Sequence, residues 1–218
     1  MTPVYVNGLK LTLKAFMKDV CQKYAKEPSM PETIRSFIAF DIESAQVLER
    51  ITYMQKVLAE TRADLKFVEP KNIHITLRFL GNITPSMVDK IYEGMKKVEF
   101  EPFDVKIRGV GAFPNMRYPR VLWAGIREGA DQLRSIFNQL EPQLRSLGFA
   151  PDTKGFSPHL TIARVKSGRN KAELARRVEE NLNYEFGTVK ANCLRLKRSD
   201  LTPKGPIYST LREICPQK

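Results

Sequence analysis

Apolar and polar residues alternate over short segments between about residues 34 and 214, and longer segments with apolar residues at helical spacing lie between them. The short segments are typical of strands, and the longer ones are typical of amphipathic helices. Strands are predicted at about 36–42, 65–68, 72–80, 103–107, 120–126, 158–165, 188–197 and 207–214. Helices are predicted at about 44–61, after Thr84-Pro85, at about 130–147 and at about 171–182.

The order strand, helix, strand, helix, strand occurs twice along this part of the chain. Corresponding elements of the two copies are separated by about 85 residues, which indicates an internal repeat. The repeats lie at about 34–113 and 118–214. Each needs a partner surface to bury its apolar side, so we expect two lobes with pseudo-twofold symmetry within one domain, 34–218.

Residues 1–33 differ from the rest and form an N-terminal extension. Apolar residues from Leu9 to Tyr24 fall at helical spacing with lysines on the other side, and Pro28 and Pro31 end the pattern. A basic amphipathic helix of this kind can bind a membrane surface or an RNA backbone. Packing on the domain with solvated lysines is the simpler interpretation. A further alternative is that translation begins at Met30.

Both histidines of the sequence stand in a His-x-Thr triplet, one in Asn72–Leu77 and the other in Pro158–Ile162. In a strand, alternate side chains share a face, so each triplet directs an imidazole and a hydroxyl to the same side. A single triplet is usually a half-buried histidine that a backbone carbonyl satisfies. Two triplets at matching positions of a repeat instead favour a shared site in the cleft between the lobes.

Composition limits the partners and the compartment. The formal net charge is +12 and the sequence pI is about 9.7, which favours an anionic partner. No apolar run is long enough to span a bilayer, and lysines interrupt any signal-peptide core, so we expect a soluble cytoplasmic protein without a membrane partner. The three cysteines are far apart and include no Cys-x-x-Cys pair. We expect them to be small buried apolar residues rather than a disulfide framework or a zinc site.

Two imidazoles in one cleft suit paired acid–base chemistry near neutral pH. Threonine hydroxyls beside them can bind phosphate oxygens, and the basic charge favours a phosphodiester. In-line displacement at phosphorus requires a base and an acid on opposite sides, which two related half-sites provide. A metal site needs more ligands than two histidines, and the motifs for nucleotide cofactors and for serine hydrolases are absent. We therefore expect neither a metal nor a cofactor.

Three further positions carry weaker expectations. Arg164 lies in the second motif strand, but strict alternation puts it on the face opposite His159 unless a bulge intervenes. Trp123 can stack on a base, although its apolar strand favours a place in the core. The basic residues Arg195, Lys197 and Arg198 are expected on a solvated strand face.

The chain resembles the two-histidine phosphoesterases, and within them the archaeal and bacterial RNA 2′,3′-cyclic phosphodiesterases, also called 2′-5′ RNA ligase-like proteins. The resemblance covers about residues 34–214. It depends on the segments SFIAFDI, NIHITLRFLG, FPN with PRVLWAGI, SPHLTIARV and SDLTPKGPIYSTL. It implies an α+β fold in which two antiparallel sheets flank a basic cleft, with helices on the outside. The extension 1–33 departs from the family pattern.

The resemblance also implies an activity and its residues. It implies hydrolysis of RNA 2′,3′-cyclic phosphate ends to 2′-phosphates without a metal, with His74 as general acid and His159 as general base. Thr76, Thr161 and Arg164 are implied as phosphate ligands. Relatives join tRNA halves through a 2′-5′ linkage, so RNA with a cyclic phosphate end, including tRNA fragments, is the implied partner of a monomeric enzyme.

Two other functions stay open at this point. One is a related phosphodiesterase that acts on small cyclic nucleotides or 2′-5′ oligoadenylate, which predicts little gain from longer RNA. The other is a non-catalytic RNA-binding module, which predicts salt-sensitive binding that survives loss of either imidazole.

Overall fold

The computed structural model describes residues 4–6, 9–11, 32–153, 155–203 and 205–216. The chain divides into two compact units, Met1–Glu32 and Thr33–Lys218. The described part of the first unit is an antiparallel pair of strands, β1 (Val4–Val6) and β2 (Leu9–Leu11).

The predicted helix from Leu9 is therefore wrong for Leu9–Leu11, which form a strand. The sequence between the two strands is Asn7-Gly8, a dipeptide that strongly favours tight hairpins, and this local signal outweighs the helical spacing. The remainder of the predicted helix, residues 12–24, lies outside the described residues.

The second unit alternates strands and helices. Its strands are β3 (Ile34–Asp41), β4 (Leu65–Phe67), β5 (His74–Ile83), β6 (Phe103–Phe113), β7 (Val121–Glu128), β8 (His159–Val165), β9 (Glu185–Ala191), β10 (Leu194–Thr202) and β11 (Gly205–Ile214). Its helices are α1 (Ala45–Ala59), α2 (Pro85–Met95), α3 (Ala130–Ser146) and α4 (Lys171–Glu180), and a single 3-10 turn covers Pro70–Asn72. The one strand predicted at 188–197 is wrong, because β9 ends at Ala191 and β10 begins at Leu194.

All nine strands of this unit pair in an antiparallel manner, in the order β11-β10-β3-β5-β8-β7-β6-β9, with β4 beside β8. This confirms the predicted α+β class and its antiparallel pairing. The expected two sheets are instead one hydrogen-bonded sheet. Its halves meet where β5 and β8 pair, at the single position Ile75 opposite Leu160.

Strands from the end of each segment lie in the other half of the sheet: β6 for 34–113, and β10 with β11 for 118–214. β6 follows β5 in sequence but pairs with β7, and β10 follows β9 but pairs with β3. Each half of the sheet therefore contains strands from both segments, 34–113 and 118–214. Neither half of the sheet is therefore built from one segment alone.

The core lies between one face of the sheet and the helices. On β3 the even-numbered residues Ile38 and Phe40 point into it, and each helix adds its apolar stripe. The helix residues in the core are Val47, Ile51, Met54 and Leu58 of α1, Val88, Ile91 and Met95 of α2, Leu133, Ile136, Leu140 and Leu144 of α3, and Leu174 and Val178 of α4. The odd-numbered residues of β3 point to the opposite face, which we call the cleft face.

Cys193 and Cys215 form a disulfide, so the expectation of unpaired buried cysteines is wrong for this pair. The two residues flank paired strands, since Leu194 lies opposite Ile214, and antiparallel pairing brings the cysteines together. Cys215 is exposed rather than buried. Cys21 lies outside the described residues. Among the described helices, none has the length and apolar character needed to cross a membrane.

Candidate active site

The two His-x-Thr motifs lie at the junction of the two half-sheets. Ile75 and Leu160 are opposite each other and fully buried in the core. Their neighbours in sequence therefore point to the cleft face from both strands. The residues in these positions are His74 and Thr76 on β5, and His159 and Thr161 on β8.

Each histidine is fixed by the same local hydrogen bond. Nδ1 of His74 lies 2.7 Å from the carbonyl oxygen of Asn72, and Nδ1 of His159 lies 2.8 Å from the carbonyl oxygen of Ser157. A carbonyl only accepts, so each Nδ1 must carry the proton. The neutral rings therefore keep Nε2 unprotonated, and this nitrogen is left to exchange a proton with a bound molecule.

Burial lowers the pKa of His74, whereas the Asn72 carbonyl and the carboxylate of Asp41 oppose this shift. Burial also lowers the pKa of His159, and the Ser157 carbonyl opposes it. The positive charge of His159 is near enough to lower the pKa of His74 further. The two rings are therefore neighbours that disfavour being charged at the same time.

The threonines add two hydroxyl groups beside the imidazoles. Thr76 and Thr161 are partly exposed on the cleft face, and within the described part of the chain neither hydroxyl has a hydrogen-bond partner. Each hydroxyl is thus free to donate to an oxygen of a ligand. Four convergent polar groups on one face are suited to a small anion with several oxygens.

Arg164 reaches the same face because β8 contains a bulge. Leu122 lies opposite Ala163 but Trp123 lies opposite Thr161, so Ile162 is an extra residue on β8. The extra residue reverses the alternation, and Ile162 and Ala163 both point into the core. Arg164 then shares the face of His159, which removes the objection from strict alternation.

A second observation supports this position of Arg164. Burial raises the pKa of the Tyr208 hydroxyl, and the positive charge of Arg164 opposes this shift. The Tyr208 ring contacts the ring of His74, with centroids 5.3 Å apart. The positive charge of Arg164 on β8 therefore acts at the half-site of His74.

A matching bulge in β5 brings Phe79 to the cleft face. Ile38 lies opposite Arg78 but Ala39 lies opposite Thr76, which makes Leu77 the extra residue. Phe79 then lies opposite Phe37 and is 61% exposed. Phe79 stands at the same distance after His74 in the sequence as Arg164 does after His159. An exposed aromatic ring and an exposed guanidinium therefore occupy equivalent positions after the two histidines. Phe79 was not predicted as a site residue, although it lies at the same spacing from His74 as Arg164 does from His159.

The half-site of His74 also contains charged residues that were expected on a solvated strand face. Asp41 lies opposite His74, and the Lys197 ammonium is 2.6 Å from Asp41 Oδ1. Arg195 contacts the same carboxylate at 3.2 Å. The side chain of Lys197 is only 10% exposed, so the expectation of a solvated face is wrong for Lys197 and Arg195.

Aromatic rings pack against both imidazoles. Phe37 lies 4.8 Å from the ring of His74, and Phe113 lies 4.9 Å from the ring of His159. Trp123 lies opposite Thr161 on the cleft face and contacts Phe113, so the expected core position of Trp123 is wrong. The Trp123 ring packs directly on Gly111. Any side chain at position 111 would collide with it, because a Cβ there would lie 2.2 Å from the ring.

The metal-binding potential of the described residues is confined to one group, Cys193, Glu213 and Cys215. Two of these three residues are joined in the disulfide, so their sulfurs are not thiolate ligands. The histidine pair forms no such group with a third ligand in the described ranges. The site offers two proton-exchanging nitrogens, two hydroxyls and a guanidinium, which together suit acid–base chemistry on a phosphate ester.

The model of a protein family described as LigT like phosphoesterase matches this chain over residues 42–123 and 125–208. Each matched segment contains one His-x-Thr motif. Curated relatives carry the name RNA 2′,3′-cyclic phosphodiesterase. The relative from Aeropyrum pernix is 41% identical over 76% of this chain and 94% of its own length. The relative from Archaeoglobus fulgidus is 41% identical over 82% of this chain and 98% of its own length.

Solved structures share the fold. A Thermus thermophilus protein is 27% identical with a TM-score of 0.69, and the match covers 84% of this chain and 97% of that chain. Escherichia coli LigT complexed with 3′-AMP is 20% identical with a TM-score of 0.70, covering 86% of this chain and all of LigT. The second likeness concerns the fold alone.

Proposed function

The chain belongs to the LigT-like phosphoesterase family, and we propose that it hydrolyses the 2′,3′-cyclic phosphate at the 3′ end of RNA to a 2′-phosphate. The names of its relatives support this substrate. One observation carries the proposal. In both histidines Nδ1 donates a hydrogen bond to a backbone carbonyl, and Nε2 is left for proton transfer. The two rings lie on the same face of two adjoining strands.

The proposed step is an in-line displacement at phosphorus. Nε2 of His159 accepts a proton from water as the water oxygen bonds to phosphorus. The bond between phosphorus and O3′ breaks, and Nε2 of His74 donates its proton to O3′. The product has a 2′-phosphate and a free 3′-hydroxyl. Thr76 and Thr161 donate hydrogen bonds to the two non-bridging oxygens, whose charge increases in the transition state.

The surroundings of the two imidazoles support this division of roles. Burial lowers the pKa of His74 overall, and Lys197 adds to this shift, but the carboxylate of Asp41 opposes it and so favours the charged form that a general acid needs. In the described surroundings of His159, no carboxylate contributes to its pKa. His159 is therefore the better candidate for the neutral general base.

Arg164 and Phe79 are proposed to bind the parts of the substrate next to the reacting ring. A guanidinium on the cleft face suits the charge of the cyclic phosphate. Phe79 is exposed on the half of the sheet that contains His74, where O3′ and its ribose lie in the proposed step. An exposed aromatic ring at that position suits stacking of the terminal base. One chain supplies both half-sites, which is consistent with a monomer.

The test is to incubate the purified protein in EDTA with a short RNA that ends in a 2′,3′-cyclic phosphate, and to identify the terminus formed. We expect a 2′-phosphate, because His74 protonates O3′ and the step uses side chains only. His159→Ala serves as the inactive control. A 3′-phosphate product, or a ring that stays intact while the RNA is bound, would overturn the proposal.

A further inference from the structure

An open cavity of about 480 Å³ adjoins the half-site of His159. Ser157, whose carbonyl fixes the ring of His159, lines it together with Pro158 and Gly125, and Gly125 lies opposite His159 in the strand pairing. Sites for small molecules have volumes of about 300–1,000 Å³. The space is therefore far larger than the attacking water requires.

Three arginines line this cavity, and no lining residue is acidic. The guanidinium of Arg108 is 3.2 Å from Glu185, and that of Arg134 is 2.6 Å from Asp131. Arg127 is exposed and has no ion-pair partner among the described residues. The cavity therefore contains one uncommitted guanidinium and two that are partly neutralised, which gives it a net positive charge.

The walls of the cavity include closely packed backbone at Gly109 and the aromatic ring of Trp123. Gly109 has a φ of +83°, and a Cβ there would lie 2.3 Å from the Leu182 carbonyl oxygen. The same Cβ position is 3.8 Å from the Arg127 guanidinium, which places that group above the glycine. Trp123, which lies opposite Thr161 in the strand pairing, also lines the cavity. A guanidinium and an indole in one cavity match a nucleotide, since one binds phosphate and the other stacks on a base.

We propose that this cavity binds a second ribonucleotide phosphate, one that an RNA chain carries away from the cyclic terminus. The inference rests on the proposed function and extends it from the terminal phosphate to the RNA strand. The bound phosphate has two possible sources. It belongs either to the substrate strand itself or to a second strand whose 5′-hydroxyl end approaches phosphorus from the side of His159.

The first experiment measures kcat/KM for a nucleoside 2′,3′-cyclic phosphate and for a dinucleotide with the same cyclic end. In the wild type we expect the dinucleotide to be preferred by about tenfold or more, as a charge-assisted contact predicts. In Arg127→Ala the preference falls close to one. Lys90→Ala is the matched control, because Lys90 is an exposed lysine of α2, and we expect its preference to equal that of the wild type.

The second experiment does not depend on turnover. Trp123 is the single tryptophan of the sequence, so its fluorescence reports on this cavity. Titration with a dinucleoside monophosphate, which has one phosphodiester and no terminal phosphate, should change the signal, and Arg127→Ala should raise the apparent Kd about tenfold or more.

The outcomes separate the two proposals. A dinucleotide preference that depends on Arg127 identifies the phosphate of the substrate strand. Absence of that preference, together with Arg127-dependent binding in the fluorescence titration, identifies a second strand. An Arg127-dependent fluorescence change without hydrolysis of any cyclic end would support the cavity and overturn the proposed function. Hydrolysis with neither effect, or equal affinity for inorganic phosphate and for the dinucleoside, would overturn the cavity proposal alone.

Discussion

The buried side chain of Gln55 donates a hydrogen bond of 2.9 Å to the carbonyl oxygen of Ile162, the extra residue of the bulge in β8. The same amide donates to the Val68 carbonyl oxygen at 2.8 Å. Gln55 thus holds the irregular backbone that directs Arg164 to the cleft face. A bulge maintained by a side chain from α1 is a positioning device for the site.

We expect Gln55→Ala to lower the free energy of unfolding by about 1–3 kcal/mol, since the buried carbonyl of Ile162 and the partly buried carbonyl of Val68 each lose a donor. Thermal or denaturant unfolding measures this, and Gln132→Ala, an exposed position on α3, should have little effect. The positioning role is checked with a double-mutant cycle on kcat/KM. If the losses in kcat/KM of Gln55→Ala and Arg164→Ala, expressed as free energies, add fully in the double variant, the two residues act independently.

Asp41→Asn should change one limb of the pH profile. In the proposed mechanism His74 is the acid and must be protonated, so activity is lost as the pH rises through its pKa. Asp41 opposes the lowering of that pKa by burial, and without its charge the pKa falls further. The alkaline limb of kcat/KM should therefore move to lower pH, while the acid limb set by His159 stays in place. Glu213→Gln, in the same ion-pair network through Arg195, is the control. An alkaline limb that does not move would contradict the role of His74.

Phe79→Ala should weaken RNA binding by about 1–3 kcal/mol, the usual value for loss of one stacked base. The effect should be similar for all four terminal bases, because stacking depends on the π face rather than on base edges. Equilibrium binding to RNA with a cyclic end measures it. Tyr53→Ala removes an equally exposed ring from α1 and should leave the affinity unchanged. Unchanged affinity in Phe79→Ala would place the base elsewhere.

Reduction of the Cys193–Cys215 disulfide should lower stability. The bond closes a segment with a sequence separation of 22 residues, for which the loss is about 3 kcal/mol. Unfolding of the wild type with and without a reductant measures the difference. Cys193→Ala should be insensitive to the reductant, and a wild type that is equally insensitive would show that the bond contributes nothing.

The central strands, the helices and the convergence of the two motifs follow from local patterns in the sequence. Alternation around Ile75 and Leu160 is enough to direct the histidines and threonines to one face. Arg164 could not be placed in this way, because its direction depends on one extra residue, and a bulge leaves little trace in a single sequence. The disulfide and the burial of Lys197 depend on strand neighbours far apart in the chain, which local patterns do not specify.

The most direct test of the paired-histidine mechanism changes the leaving group. With RNA that ends in a cyclic phosphate, His74→Ala and His159→Ala should each lose about 10²–10⁴-fold in kcat/KM. A 3′-deoxynucleoside 2′-(4-nitrophenyl phosphate) releases nitrophenolate, which departs without a proton. On this substrate His74→Ala should recover most of the wild-type rate, while His159→Ala stays slow because water still needs a base. Equal losses of both variants on both substrates would contradict the separate roles of the two histidines.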